Sequence, residues 1–124
     1  AMKPGKPVWL GRVAGKLVMG LPGNPTSALA TGRLLLAPLV AGLAGAVPSE
    51  CLQWRWIEIA GDLPAIGDRE TFVRAFYDKG GRAVPLGNQS SSAQHALADA
   101  DILLRRPAGS PSLSAGEHVQ ATDF

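Results

Sequence analysis

The chain has 124 residues, 46% of them hydrophobic, which is enough for one average domain or for a compact domain joined to a piece of another. Twelve basic and ten acidic side chains leave a formal net charge of only +2, which argues against a dedicated nucleic-acid binder. The charges are unevenly divided, because residues 1–48 carry five basic and no acidic side chains and residues 49–124 carry seven basic and all ten acidic ones. This asymmetry predicts two segments of different origin that meet near Pro48.

The first segment predicts part of an α/β layer. Lys3-Pro-Gly-Lys-Pro7 is typical of a rigid turn that presents two ammonium groups, and it leads into a strand at residues 8–10. The apolar run 17–21 predicts a strand buried on both faces, and an apolar helix follows from Pro25, which Pro38 should kink or divide. Because two strands cannot cover such a helix, we expect a partner copy, an absent part of a longer protein or the second segment to cover it.

The second segment predicts a small β-barrel or sandwich. Short alternating runs divided by glycine and proline predict strands over residues 52–59, 69–77, 82–86, 102–104 and 119–124. The strands over 69–77 and 82–86 should form a hairpin. A polar loop over residues 87–92 leads to a predicted short helix over residues 93–98.

The cysteine content and the apolar runs indicate in which cellular compartment the protein is found. The single cysteine, Cys51, excludes an intrachain disulfide framework and leaves too few thiols for a zinc site. The start of the chain lacks a secretory signal, and the longest apolar run, 34–47, is shorter than the roughly 20 residues that a membrane span needs. We therefore predict a soluble cytoplasmic protein without a membrane partner.

The stretch from Gly20 to Ala28 is the strongest candidate for a binding site. Asn24 is a predicted N-cap, Pro25 suits the first helical position, and Gly23 lets the backbone approach a ligand closely. Free N–H groups and the positive end of the helix dipole would then converge on an oxyanion or phosphate. Other side chains suited to oxyanions lie in predicted turns: Lys3, Lys6, Thr26, Ser27, Arg69, Ser90, Ser91 and Ser92. The alternative interpretation is an ordinary helix start among solvated side chains.

Catalytic and metal-binding patterns are missing from the sequence. His95 and His118 have no local partner pattern and are predicted to be surface or structural residues. The acidic residues are scattered, so we predict neither a metal cluster nor a glycosidase-type carboxylate pair.

Five ordered motifs resemble the C-terminal third of the MoeA-like molybdopterin molybdenumtransferases, whose relatives include the gephyrin E domain. The motifs are Lys3-Pro-Gly-Lys-Pro7, Gly20-Leu-Pro-Gly-Asn-Pro-Thr-Ser-Ala28, Asp68-Arg69-Glu70-Thr-Phe-Val-Arg74, Gly87-Asn-Gln-Ser-Ser91 and Leu113-Ser-Ala-Gly-Glu-His-Val119. The resemblance implies that residues 1–46 end an α/β domain of molybdopterin-binding type and that residues 47–124 form a small C-terminal β-barrel domain.

The resemblance also implies a function and a site. Family members insert molybdate into adenylylated molybdopterin with Mg²⁺ and release AMP, and they act as homodimers. Because the acidic residues expected for Mg²⁺ and the pterin lie upstream in the family, we expect this chain alone to be inactive and to hold no metal. The alternative is a non-catalytic binding or dimerisation module with a vestigial oxyanion site. Carried over by motif, the molybdate site would consist of Lys3, Lys6, Ser27, Arg69 and Ser91, beside a turn shaped by Pro22, Gly23, Asn24 and Pro25.

Overall fold

A computed structural model describes residues 2–4, 7–87, 89 and 98–124. The elements are β1 (Met2–Lys3), β2 (Trp9–Val13), β3 (Lys16–Gly20), α1 (Pro25–Thr31), a π-helical segment (Gly32–Leu36), α2 (Ala37–Leu43), α3 (Pro48–Cys51), β4 (Arg55–Glu58), β5 (Glu70–Tyr77), β6 (Ala83–Pro85), β7 (Ile102–Arg106) and β8 (His118–Asp123). Each predicted strand therefore has an observed counterpart. Of the predicted helix over residues 93–98, only Ala98 lies within the described part, and it is helical.

A mixed six-stranded sheet organises the fold. Its order is β1-β5-β7-β8-β4, with β6 also paired to β5, and all its ladders are antiparallel except that of β1 with β5. In that parallel ladder Lys3 lies opposite Thr71. The N-terminal residues thus belong to the same sheet as the second segment, and the predicted domain boundary at residue 46 stays a prediction.

One face of the sheet carries the larger apolar core. Alternate residues of β4, β5, β7 and β8 point into it, as the period of two in a strand requires. An isolated bridge joins Ile59 to Ala83 near opposite edges of the sheet, but no ladder joins those edges within the described ranges. A small β domain is thus observed, whereas its closure into a barrel stays a prediction. The core residues are Ile57, Ile59, Leu63, Val73, Ala75, Ala83, Ile102, Leu104, Val119 and Ala121.

The other face of the sheet is covered by one continuous helix, Pro25–Leu43, called here the long helix. Leu34 of this helix packs against Phe72 and Leu103. The guanidinium of Arg33 adds polar ties, because Nη1 donates to the carbonyl of Cys51 at 2.8 Å and Nε donates to that of Asp123 at 3.1 Å. The second segment therefore covers one face of the helix. This was one of the three covers predicted for it, beside a partner copy and an absent part of a longer protein.

Hydrogen bonding changes within the long helix just before Pro38. The N–H of Ala37 donates to the carbonyl of Gly32, five residues back, instead of four. Proline has no N–H to continue an α-helical ladder, and π turns are a common way for a helix to absorb such an interruption. The predicted division of the helix thus takes the form of a π-helical segment, Gly32–Leu36, followed by α2.

The first segment exposes much of its apolar surface. The run 17–21 was predicted to be buried on both faces, but β3 pairs only with β2 in a two-stranded antiparallel hairpin and is half-buried. Trp9 lies opposite Gly20, where the missing side chain leaves room for the indole ring. On the long helix, Leu29 is 54% exposed and Leu43 is 67% exposed. By length and composition alone this helix could cross a membrane, a test that core helices of soluble proteins also pass.

The turn between β5 and β6 provides a pH-dependent prediction. The Asp78 carboxylate accepts hydrogen bonds from the N–H of Arg82 at 2.9 Å, from the N–H of Gly80 at 2.8 Å and from Arg82 Nε at 2.9 Å. These bonds, above all that from the N–H of Arg82, hold the pKa of Asp78 below its ordinary value of 3.8. Since the folded pKa is depressed, the contribution of the carboxylate to stability is complete above the unfolded pKa and is lost as pH falls through the folded one.

We therefore expect Asp78→Asn to lower the melting temperature at pH 7, and the difference from wild type to shrink below pH 3.8. Thermal unfolding of both proteins across this pH range checks the expectation. Asp99→Asn, which alters an exposed aspartate outside the hairpin, is the matched control. A difference of equal size at neutral and acidic pH would contradict the assigned role of the carboxylate.

Candidate functional site

A cavity of about 440 Å³ lies between β1, the start of the long helix and β5, and is called here the basic cavity. Its charged residues are Lys3, Arg69 and Arg74, and its described lining includes no carboxylate. Hydroxyl and amide groups add hydrogen-bonding capacity. The remaining described lining residues are Thr26, Ser27, Thr71, Gln89, Met2, Pro4, Pro7, Ala30, Phe72, Val73 and Leu103. Three cations with neutral hydrogen-bonding groups make this a cavity suited to anions.

The parallel ladder of β1 with β5 explains why Lys3 and Arg69 line the same cavity. Lys3 lies opposite Thr71, two residues after Arg69, so both cations stand at the same end of the sheet. The Thr71 hydroxyl donates to the carbonyl of Arg69 at 3.1 Å, which ties the residue before the strand to the strand itself. The long helix adds Ser27, which is 7% exposed and lines the same cavity. Lys6 and Ser91, the other predicted ligands, lie outside the described residues.

The predicted helix start is present, but its backbone N–H groups are not free to bind a ligand. Asn24 is the N-cap, and its Oδ1 accepts hydrogen bonds from the N–H groups of Thr26 at 3.0 Å and Ser27 at 3.3 Å. The N–H of Ala28 donates to the carbonyl of Asn24. These three amides are thus already occupied, and Pro25 has none. The expectation of free backbone donors is wrong for them, and the helix start presents side chains to the cavity instead.

The turn before the helix, residues 22–25, lies outside the lining of the basic cavity. Pro22 is buried, Asn24 is half-buried, and Gly23 and Pro25 are exposed. None of the four lines the basic cavity. Their part in the structure is to begin the helix where Thr26 and Ser27 face inward.

Arg74 is a cavity residue that the sequence analysis did not select. It is 4% exposed and lies on the same face of β5 as Phe72 and Phe76. Burial lowers the pKa of the Arg74 guanidinium through desolvation. Arginine starts from so high a pKa that it keeps its charge at neutral pH. In the sequence, Arg74 alternates with Phe72 and Phe76. A charged residue between two aromatic residues on one strand face is the pattern that could have indicated a buried cation here.

Gln89 fastens the polar loop after β6 to strand β5. Its Oε1 accepts from the N–H of Arg74 at 3.0 Å, and its Nε2 donates to the carbonyl of Arg74 at 2.9 Å and to that of Leu86 at 2.7 Å. The side-chain amide thereby acts as one more rung of the sheet. It holds residue 89 of the predicted polar loop, residues 87–92, at the wall of the basic cavity.

A second cavity, of about 540 Å³, shares Lys3, Arg69 and Gln89 with the basic cavity. It also contains Asp62, Asp68 and Arg106, so its charges are mixed. Arg106 is 1% exposed, and burial lowers the pKa of its guanidinium through desolvation. Its Nη2 donates to the carbonyl of Pro111. The two aspartates make this cavity less favourable to an anion than the basic cavity.

A metal site is not found in the part of the chain that the structure describes. Within residues 2–4, 7–87, 89 and 98–124, no three His, Cys, Asp or Glu side chains lie together in a way that could hold an ion. His118 is exposed at the start of β8, and His95 lies outside the described residues. The residues present therefore do not fit the Mg²⁺ that the resemblance implies for the family.

Comparison with known proteins relates this fold to named relatives. The chain is 32% identical over 125 residues to "Molybdopterin molybdenumtransferase 2" of Mycobacterium tuberculosis, covering 100% of this chain and 31% of the relative. It is 36% identical over 128 residues to "Molybdenum cofactor synthesis protein cinnamon" of Drosophila melanogaster, covering 98% of this chain and 21% of that protein. The chain thus spans a third or less of these relatives.

A solved structure and a family model agree with these relatives. The crystal structure of the molybdopterin biosynthesis MoeA protein from Pyrococcus horikoshii superimposes with a TM-score of 0.82 at 33% identity, covering 100% of this chain and 30% of that one. The family model described as "MoeA C-terminal region (domain IV)" matches residues 57–124, more than half of the chain. The match includes the second half of β4 and all of β5 to β8, the strands that build the larger core. The chain belongs to the family of MoeA C-terminal regions.

Proposed function

We propose that this chain is the C-terminal part of a molybdenum cofactor biosynthesis enzyme, and that its basic cavity binds molybdate for insertion into adenylylated molybdopterin with release of AMP. The observation that carries the proposal is the lining of that cavity. Lys3, Arg69 and Ser27 share it, and no described lining residue is acidic. Molybdate is a tetrahedral dianion, so two exposed cations, a buried guanidinium and hydroxyl donors complement both its charge and its oxygens.

The rest of the proposed reaction depends on groups that this chain does not supply. The described residues lack a metal cluster, so Mg²⁺ and the pterin would be held by residues of a longer protein. Within such a protein this chain would supply the oxyanion end of the site, and we propose that it acts in the cytoplasm as a homodimer. The chain by itself would not catalyse the reaction.

Binding of an oxyanion by the protein tests the proposal. We expect molybdate or tungstate to bind saturably, and Arg69→Ala to weaken the affinity roughly tenfold or more, because hydrogen bonds to a charged ligand are worth about 1.5–3 kcal/mol. Isothermal titration calorimetry provides the measurement. Lys79→Ala, which removes an exposed cation in the β5–β6 turn, is the control and should leave the affinity unchanged. Equal affinities of wild type and Arg69→Ala would remove Arg69 from the site.

The exposed apolar surface favours a second candidate, a binding or dimerisation module. Trp9 is 56% exposed and Val13 64% exposed on the β2–β3 hairpin, and Leu43 is 67% exposed on the long helix. Exposed large apolar side chains of this kind are typical of an interaction site. If this module were the whole function, titration with molybdate or tungstate would show no saturable binding, whereas the purified chain would self-associate.

A further inference from the structure

The hydroxyl of Thr26 is a buried polar group without a partner in the described structure. Thr26 is 3% exposed, and its Oγ1 has no hydrogen-bond partner there. Most buried side-chain hydroxyls are hydrogen-bonded, because an unpaired one forfeits its interaction with water. Thr26 also lines the basic cavity. An unpaired donor in the wall of a cation-lined cavity indicates that the missing partner is a ligand.

Thr31, one and a half turns further along the same helix, shows how a buried threonine hydroxyl can be satisfied within this helix. The hydroxyl of Thr31 is fully buried as well, but it donates to the carbonyl of Ser27 at 2.7 Å and approaches that of Ala28 at 3.2 Å. A threonine within a helix can use the carbonyls three and four residues back. For Thr26 these carbonyls belong to the turn before the helix. Its hydroxyl therefore has no helical carbonyl to which it can donate a hydrogen bond.

The other groups around Thr26 complement an anion. Its own N–H is occupied by Asn24 Oδ1, so the hydroxyl is the group that this residue can offer a ligand. Lys3, Arg69 and Arg74 line the same cavity and provide the positive charge. A hydroxyl beside three cations donates its hydrogen to an oxyanion, since no cation can accept it.

We propose that Thr26 is a further ligand of the site, and that its hydroxyl donates a hydrogen bond to a tetrahedral oxyanion in the basic cavity. This inference rests on the proposed function, because it requires that an oxyanion occupies the cavity. It adds a second buried hydroxyl residue, beside Ser27, to the cations Lys3 and Arg69.

The test compares tungstate binding by the protein and by four variants, using isothermal titration calorimetry and thermal unfolding. Thr26→Val keeps the shape of the side chain and removes the donor, so we expect its dissociation constant for tungstate to rise about tenfold or more. Thr26→Ser restores the donor and should recover most of the affinity. Thr31→Val removes a hydroxyl that is bonded within the helix and should leave the affinity unchanged. Arg69→Ala reports on the oxyanion site as a whole.

Thermal unfolding without ligand separates a binding role from a structural one. Removal of an unpaired buried hydroxyl should leave the melting temperature of Thr26→Val equal to or higher than that of wild type, whereas tungstate should raise it less than it raises that of wild type. An unchanged tungstate affinity in Thr26→Val, with a weakened affinity in Arg69→Ala, would overturn the role of Thr26 and leave the proposed function standing. Absence of saturable binding in wild type would overturn both. A lower melting temperature of Thr26→Val without ligand, together with no rescue by serine, would assign Thr26 a structural role instead.

Discussion

Leu103→Ala is expected to lower the free energy of unfolding by about 2–5 kcal/mol, the range for truncating a fully buried leucine. Leu103 is fully buried in β7, and its side chain packs with Phe72 of β5 and Leu34 of the long helix. The cavity left by the truncation would open between the sheet and the helix, where the rigid backbone limits how far the neighbours can relax. Urea denaturation followed by circular dichroism measures the loss.

Leu43→Ala is the matched control for Leu103→Ala. Leu43 lies at the end of the long helix and its side chain is 67% exposed. Its expected effect on the free energy of unfolding is within about 0.5 kcal/mol. Comparable losses in the two variants would contradict the observed packing of the helix on the sheet. Loss in Leu103→Ala with an unchanged m-value would show that the effect lies in the stability of the folded state.

Gln89→Ala is expected to destabilise the fold by about 1–3 kcal/mol and to weaken oxyanion binding in addition, since it removes the hydrogen-bond acceptor of the part-buried N–H of Arg74. The carbonyl of Arg74 keeps its hydrogen bond from the N–H of Leu86. The side chain bonds both the N–H and the carbonyl of Arg74 and the carbonyl of Leu86. Arg74 and Gln89 both line the basic cavity, so release of this contact alters the wall of the site. Thermal unfolding and tungstate titration of the same preparation measure the two effects.

Gln89→Glu provides a sharper version of the test. A carboxylate cannot donate to the carbonyls of Arg74 and Leu86, so at pH 7 this variant should be at least as destabilised as Gln89→Ala. Protonation restores a donor, and the difference from wild type should therefore shrink as pH falls through the pKa of the new side chain. Gln53→Ala, at an exposed position, is the control. A pH-independent effect of Gln89→Glu would mean that Gln89 acts through its bulk and not through its donors.

The strands were predictable because their information is local. Short runs of strand-forming residues between turn residues predicted β5, which runs over Glu70–Tyr77, and also located β7 and β8. The prediction that the run 17–21 is buried on both faces was wrong. An apolar run by itself does not show how many strands or helices will pack against it. The two-stranded hairpin of β2 and β3 leaves that run half-buried.

The site was only partly predictable from motifs. The resemblance named Lys3, Ser27 and Arg69, and all three line the basic cavity. The helix start was predicted correctly, with Asn24 as its cap, but its capping bonds occupy the amides that were expected to bind an anion. Arg74 was not predicted as a site residue, because arginine side chains are mostly exposed and only the folded structure shows that this one is buried.

The sequence by itself determined the secondary structure of the β domain, the start of the long helix and membership of the family, since each depends on residues close together along the chain. The tertiary structure alone decided that Lys3 and Arg69 line one cavity, through the parallel pairing of β1 with β5, and that Thr26 and Arg74 line it as well. This arrangement brings together residues more than forty positions apart. No local pattern encodes them, because the register between distant strands is set by how the whole chain buries its apolar faces.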